Sequence, residues 1–193
     1  MDINIISALI GALIGGIFTS GTTWWVFRKN RKALIIGVLQ GIHAETETLW
    51  SIYKIKFKEV HEALTGGKFP KNYYIKKKYP LELHDKYFVV YDSNCARIGQ
   101  IPDAKLRGDI VTGYLRAREL LDAYLHNNEL LRDLEYLRSQ QSRVTHNEYD
   151  KDVESLEETL RELARYISDV HVEVKNFYDN VGKYIEKHFP EKR

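Results

Sequence analysis

The chain has 193 residues, of which 44% are hydrophobic and 29% charged, a composition that excludes a disordered chain and fits one domain with or without an appendage. One cysteine excludes an internal disulfide framework, and it excludes a zinc site unless several other ligands assist. The net charge of +2 hides an asymmetry, because residues 28–80 carry twelve basic and four acidic side chains and residues 81–193 carry seventeen and twenty-two.

Residues 3–27 contain no charged side chain and predict a transmembrane helix. Twenty-five residues give a helix of about 37 Å, and a bilayer core of ~30 Å needs about 20 apolar residues. Trp24 and Trp25 stand where an interfacial aromatic belt belongs. We therefore interpret residues 1–32 as a membrane anchor.

A cleaved signal peptide is the alternative to an anchor. It is disfavoured because the N-terminus carries Asp2 and no basic residue, while two tryptophans occupy the place of a cleavage site. The basic cluster follows the apolar stretch instead and consists of Arg28, Lys29, Arg31 and Lys32. The positive-inside rule then predicts a single-pass protein of the inner (plasma) membrane, with residues 33–193 in the cytoplasm and the N-terminus outside. That reducing compartment fits one unpaired cysteine.

Small residues recur at every fourth position of the predicted anchor. Such rows let helix backbones approach closely in lipid, so they favour self-association and a homo-oligomer. A pore would have to be oligomeric, because the span has no ionisable residue. One row contains Ser7, Gly11, Gly15 and Thr19, and the adjacent row contains Ala8, Ala12 and Gly16.

The next segments predict two helices separated by an irregular region. Residues 34–64 have helical spacing of apolar side chains, and two glycines at 66 and 67 end the pattern. Residues 68–102 contain three prolines and predict an irregular excursion with room for one short helix. Asp103 is the expected cap of a second long helix. Asn128, inside the apolar stripe of that helix, is interpreted as a buried polar residue that sets the packing register.

The clearest periodicity lies in residues 153–188, where apolar positions alternate at intervals of three and four. This spacing predicts a coiled-coil or bundle seam, which serves pairing within one chain or between chains equally well. The predicted fold class is all-α: an N-terminal transmembrane helix followed by an elongated antiparallel cytoplasmic bundle of about three long helices. The seam consists of Leu156, Leu160, Leu163, Ile167, Val170, Val174 and Phe177.

A second basic cluster lies in the excursion at Lys76, Lys77 and Lys78. We expect it to face anionic lipid together with the cluster after the anchor, each cation contributing about 1 kcal/mol. The tyrosines beside it leave open a basic and aromatic track for single-stranded nucleic acid. That alternative is disfavoured, because the second half of the chain is acidic and no nucleic-acid-binding signature is present.

No motif in the sequence predicts a reaction. His43 and Glu47 share a helix face, but the Glu-x-x-His pairs of di-iron bundles are absent. His-Glu-x-x-His, Gly-x-Ser-x-Gly and glycine-rich phosphate loops are absent as well. Cys95, beside Asp92 and Ser93, is interpreted as a buried structural cysteine. We therefore predict no catalytic residue, no metal and no cofactor.

Most of the chain loosely resembles small, functionally uncharacterised bacterial single-pass membrane proteins with a helical cytoplasmic domain, and the resemblance is best in residues 87–131. Members of that group are sometimes encoded in mobile-element or phage-defence loci. The resemblance brings no active-site residues. It is carried by Tyr91-Asp92-Ser93-Asn94, Ile98-Gly99, Leu106, Ile110-Val111, Tyr114 and Asn127-Asn128.

Two functions follow as hypotheses. In the first, a non-enzymatic cytoplasmic bundle binds a protein partner or senses a signal, and the anchor self-associates, in its sharpest version as a membrane-impairing effector in phage defence. In the second, the chain is a static tether or scaffold, and the heptad face of residues 153–188 is the protein-binding surface.

Overall fold

The computed structural model describes residues 3–65, 73–79, 87–141 and 147–188, without the side chains of residues 3–15, 17, 65, 141 and 147–149. These residues form five α-helices and no β-strand. The helical bundle predicted from the apolar periodicity is therefore confirmed. The helices are α1 (Ile3–Lys56), α2 (Lys58–Thr65), α3 (Val89–Ile98), α4 (Ala104–Gln141) and α5 (Asn147–His188).

The helices α4 and α5 are antiparallel and share the most extensive interface of the fold. Gly113 of α4 faces the ring of Phe177 of α5. Towards the other end of the pair, a guanidinium nitrogen of Arg138 lies 2.6 Å from a carboxylate oxygen of Glu157. The residue numbers of these two contacts rise along α4 and fall along α5, as an antiparallel pair requires.

The helix α1 packs on this pair and is parallel to α4. The carboxylate of Glu45 accepts a hydrogen bond from the hydroxyl of Tyr114 at 2.7 Å, and the hydroxyl of Tyr53 lies 3.0 Å from that of Tyr124. Two helices joined by a short turn would be antiparallel. The parallel arrangement therefore requires a long connection, which the excursion provides.

Two local signals define the ends of these helices. A carboxylate oxygen of Asp103 accepts a hydrogen bond from the backbone N–H of Leu106 at 3.0 Å, so the predicted cap of α4 is confirmed. Between α1 and α2 only Phe57 departs from helical geometry. Its N–H still donates to the carbonyl of Tyr53 and its carbonyl accepts from His61, so α2 continues closely from α1.

The core has two parts, which we name by their distance from the N-terminal half of α1. In both, the apolar stripes of α1, α4 and α5 meet and short segments of the excursion close the side. The proximal core includes Val38, Leu39, Ile42, Phe88, Ile98, Ile101, Ile110, Tyr114, Phe177, Val181 and Ile185. The distal core includes Trp50, Tyr53, Phe57, Val60, Ile75, Tyr79, Tyr124, Leu131, Leu134, Leu160, Ile167 and Val170.

The excursion is fixed to α4 by two adjacent asparagines. The side-chain amide of Asn128 donates to the carbonyl of Tyr79 at 2.7 Å and accepts from the N–H of Tyr79 at 2.9 Å. Asn127, which is fully buried, donates to the carbonyl of Ile75 at 3.2 Å. These bonds satisfy backbone groups in residues 73–79, which have no helical or strand partner. The structure therefore gives Asn128 a partner in the excursion.

The predicted transmembrane helix needs correction. Among the residues that the structure describes, no helix is long and apolar enough to cross a membrane. In the described part of α1, the polar run at 19–23 and the basic cluster at 28–32 leave no continuous apolar stretch of about 20 residues. The fold class with an N-terminal transmembrane helix is wrong in this respect, and the described residues support an all-α bundle of five helices.

The predicted self-association rows fall mainly on residues outside this description. Ser7, Ala8, Gly11, Ala12 and Gly15 lie among the side chains that are not described. The two remaining members, Gly16 and Thr19, are exposed, and a Cβ built on Gly16 would have no neighbour within 4 Å.

Candidate functional site

The N-terminal half of α1 carries an exposed group of aromatic and basic side chains, residues 18–32, which we call the aromatic–basic segment. Every described side chain from residue 18 to residue 34 is exposed. Trp24 is 61% exposed, Trp25 59% and Phe27 65%. Three large exposed aromatic side chains close together on one helix are unusual, because contiguous exposed apolar surface generally marks an interaction site with a protein or a membrane.

The cations of the segment lie over its tryptophan rings. The guanidinium carbon of Arg28 is 5.2 Å from the ring centre of Trp24, and the ammonium of Lys29 is 5.3 Å from that of Trp25. Both pairs are four residues apart, the spacing at which helix side chains meet. Each exposed pair contributes ~0.5–1 kcal/mol. The pairs therefore place positive charge and aromatic surface side by side.

This segment is exposed because the bundle contacts of α1 begin only after it. The first buried side chains of α1 are Val38 and Leu39, in the proximal core. The excursion and α5 pack against later turns, and among the described residues nothing covers the helix before Leu34. The segment therefore extends beyond the proximal end of the bundle.

The structure separates the two basic clusters that were expected to act together. Lys77 lies 3.3 Å from a carboxylate oxygen of Glu59, and Lys78 pairs with Glu135. Both acids belong to the distal half of the bundle, roughly 40 Å along α1 and α2 from Lys32. The lysines of the excursion therefore lie on a mixed-charge surface far from the aromatic–basic segment.

A cavity of about 80 Å³ lies between the proximal and distal cores. Its walls come from α1, α4 and α5 and from the turn before α3, and they are almost wholly apolar. Trp50, Tyr114 and Phe177 contribute rings, and Ala117 leaves room on the α4 side. The single charged lining residue is Lys56.

Beside this cavity lies a buried polar cluster of Tyr53, Tyr124 and His171. The hydroxyl of Tyr53 lies 2.9 Å from Nδ1 of His171 and 3.0 Å from the hydroxyl of Tyr124. Burial raises the pKa of both tyrosines. Burial, with the nearby charges of His61 and Lys175, lowers the pKa of His171 to about 4. The cluster is therefore neutral at pH 7, and it positions the helices without offering a charged nucleophile or base.

Glu45 links three elements at the proximal end of the cavity. Its two carboxylate oxygens accept hydrogen bonds from the N–H groups of Val90 at 2.7 Å and Tyr91 at 3.1 Å, in the first turn of α3. One of these oxygens also accepts the Tyr114 hydroxyl. A carboxylate at a helix N-terminus satisfies free N–H groups and interacts favourably with the helix dipole. The contacts of Glu45 therefore indicate a structural role.

The predicted seam of α5 packs inside this chain. Leu160 and Ile167 have no exposed surface, Val170, Val174 and Phe177 are buried, and Leu156 and Leu163 pack against the distal core. The partners of the seam are α4 and α1. This side of α5 is therefore covered within one chain.

Two further sequence interpretations concern Cys95 and metal binding. Cys95 was expected to be buried, but it is exposed on α3 and its thiol contacts the carbonyl of Tyr91 at 3.3 Å. The reason is that α3 packs through Ile98 while Cys95 points away from the core. Among the described residues, no group of three or more His, Cys, Asp or Glu side chains could hold a metal ion.

Sequence reasoning missed the cavity and the tyrosine–histidine cluster. The residues of the cluster come from positions as far apart as 53 and 171, and they meet only because α1, α4 and α5 pack together. A signal was present, because Tyr124 and His171 interrupt aliphatic stripes. No family model, no curated protein and no solved structure matches the chain.

Proposed function

We propose that this chain is a non-enzymatic helical protein that acts at a membrane surface. The aromatic–basic segment is the part that meets anionic lipid headgroups. One observation carries the proposal: Trp24, Trp25 and Phe27 are each more than half exposed, beside four exposed cations on a helix that extends beyond its own bundle.

The chemistry of the segment matches a lipid headgroup layer. Tryptophan rings prefer the boundary between water and hydrocarbon, and lysine or arginine near an anionic leaflet contributes about 1 kcal/mol each. Long basic side chains also reach phosphate while their stems cover apolar surface. The segment therefore offers both kinds of contact on one helix.

An interaction with a protein partner through α5 is less well supported. The scaffold hypothesis used the heptad face of residues 153–188, but that face is buried against α4 and α1. The effector hypothesis required a spanning anchor, and no helix among the described residues is long and apolar enough to provide one. The resemblance to small bacterial membrane proteins stays a prediction.

Vesicle sedimentation tests the proposal. The full chain is mixed with vesicles of phosphatidylcholine alone, and of phosphatidylcholine with phosphatidylglycerol, and the bound fraction is measured at low and high salt. We expect the anionic vesicles to bind more protein, and salt to weaken binding, because it screens surface charge. A variant with glutamine at Arg28, Lys29, Arg31 and Lys32 should bind anionic vesicles at least about tenfold more weakly. Trp24→Ser with Trp25→Ser should weaken binding to both kinds of vesicle.

Matched controls come from the distal half of the bundle. The triple variant Lys76→Gln, Lys77→Gln, Lys78→Gln removes three neighbouring positive charges from the mixed-charge surface. Tyr136→Ser removes an aromatic side chain that is 64% exposed. Both should bind vesicles like the parent chain. Equal binding by the parent and the fourfold glutamine variant would refute the role of the segment.

A further inference from the structure

The cavity between the two cores has an apolar wall and a charged mouth. Trp50, Phe88, Leu121 and Phe177 are among its lining residues. Its volume of about 80 Å³ is about half that of an engineered apolar cavity that holds benzene. A cavity of this size and lining accepts a short alkyl chain, whereas a single aromatic ring must displace part of the lining to enter.

Three of the hydroxyl groups among the lining residues, those of Thr46, Tyr53 and Tyr114, already have partners. Thr46 donates to the carbonyl of His43 at 2.9 Å, and Tyr114 donates to Glu45 at 2.7 Å. Tyr53 is engaged with Tyr124 and His171. The inner wall therefore presents ring faces and methyl groups, and it offers little to a polar body because an unpaired buried polar group is costly.

The mouth of the cavity carries the only charge. The ammonium of Lys56 lies 3.4 Å from the hydroxyl of Tyr87 and 5.8 Å from the centre of its ring. Lys56 is exposed, and among the described residues it makes no ion pair. An ammonium beside a phenol hydroxyl can donate two hydrogen bonds to one carboxylate.

We propose that this cavity is a binding site for a small carboxylic acid with a compact aryl or alkyl body. The apolar body fills the space beside Trp50 and Ala117, and the carboxylate accepts hydrogen bonds from Lys56 and Tyr87 at the mouth. The site is separate from the aromatic–basic segment and does not depend on lipid binding.

Tryptophan fluorescence can report on the site alone. The chain has three tryptophans, so Trp24→Phe with Trp25→Phe leaves Trp50 in the cavity wall as the single reporter. The probes are phenylacetate, 2-phenylethanol and 2-phenylethylamine, which share one ring and differ in head-group charge. Hexanoate tests an alkyl body in place of the ring. We expect a saturable response to one or both acids, a weaker response to the alcohol and the weakest response to the amine.

Two variants in this background test the assigned groups. Lys56→Gln should weaken binding of the acids by about fivefold and leave the alcohol unchanged. Lys54→Gln, which removes an exposed lysine outside the cavity wall, should leave all affinities unchanged. Ala117→Leu should fill the cavity and weaken both acid and alcohol. Circular dichroism and thermal melting establish that each variant is folded, and Leu121→Phe replaces Ala117→Leu if that variant is not.

Three outcomes overturn the proposal. The first is no saturable response to either acid, and the second is equal affinity for acid, alcohol and amine. The third is an acid affinity that Lys56→Gln does not change. Because the reporter lacks both tryptophans of the aromatic–basic segment, a failure here leaves the vesicle result standing, and a failure of vesicle binding leaves this one standing.

Discussion

Gly113 of α4 lies directly against the ring of Phe177 of α5, within the most extensive interface of the bundle. A Cβ built on Gly113 would lie 2.1 Å from the ring carbon Cγ of Phe177. The ring therefore lies directly against the backbone of α4, and it also packs edge-on with Tyr114 at a ring-centre distance of 5.5 Å. The glycine lets Phe177 enter the proximal core.

Gly113→Ala should therefore destabilise the protein by about 2 kcal/mol or more, because the ring or the helix must move. Gly108→Ala is the matched control on the same helix, since a Cβ there has no neighbour within 4 Å. It should stabilise the protein by about 0.5–1 kcal/mol, because alanine favours helix more than glycine does. Urea unfolding measures both values. Similar values for the two variants would contradict this packing.

Glu45→Gln should destabilise the protein by about 1–3 kcal/mol, since it weakens two bonds to α3 and one to Tyr114. Glu47→Gln changes an exposed carboxylate on the same helix and should have little effect. Hydrogen exchange gives a second measurement, because the amides of Val90 and Tyr91 should exchange faster only in the Glu45 variant. Unchanged exchange at both amides would show that Glu45 does not cap α3.

His171 should make stability depend on pH. The pKa of His171 is about 4 in the folded protein, and its ordinary value, which applies to the unfolded chain, is 6.5. On acidification the unfolded chain therefore takes up the proton first. The contribution of His171 to the free energy of unfolding is fully present above pH 6.5. It falls as the pH drops towards 4, by up to about 3 kcal/mol. Urea unfolding at several pH values measures the slope. His171→Gln should flatten the pH dependence of stability in this window. His126→Gln, at an exposed site, is the control and should leave the slope as it is. An equal slope in the parent chain and in His171→Gln would rule out His171 as the cause.

Asn128→Ala should release the excursion from α4. It removes both hydrogen bonds to the backbone of Tyr79 and leaves those groups unpaired, a cost of about 2 kcal/mol. The amide of Tyr79 should then exchange faster, and urea unfolding should show the loss of stability. Asn176→Ala, at an exposed position of α5, is the control and should change neither quantity. Protection of Tyr79 that survives in Asn128→Ala would refute the assigned role.

The seam of α5 could be predicted because local spacing determines it. Leu160 and Ile167 recur at one helix face, and any partner for that face must cover them. Asp103 could be predicted for the same reason, since an N-cap acts within three residues. Predictions that depend on a short stretch of chain succeed when local geometry leaves few alternatives.

The partner of Asn128 could not be predicted, because Tyr79 lies 49 residues away in the chain. The same limit applies to Glu45, whose three donors belong to α3 and α4. Cys95 was assigned to the interior from its residue type alone. Its exposure follows from the side of α3 that packs on α1, which is a tertiary choice.

The sequence by itself determined an all-α chain with long amphipathic helices, a cap at Asp103 and a concentration of charge near the first helix. Only the tertiary structure decided that α1 lies parallel to α4, that Lys77 and Lys78 pair with acids far from Arg28, and that a cavity remains beside Trp50. The physical reason is that periodicity and capping energies act within a few residues. Helix direction, ion-pair partners and cavities depend on contacts between residues that are distant in the chain.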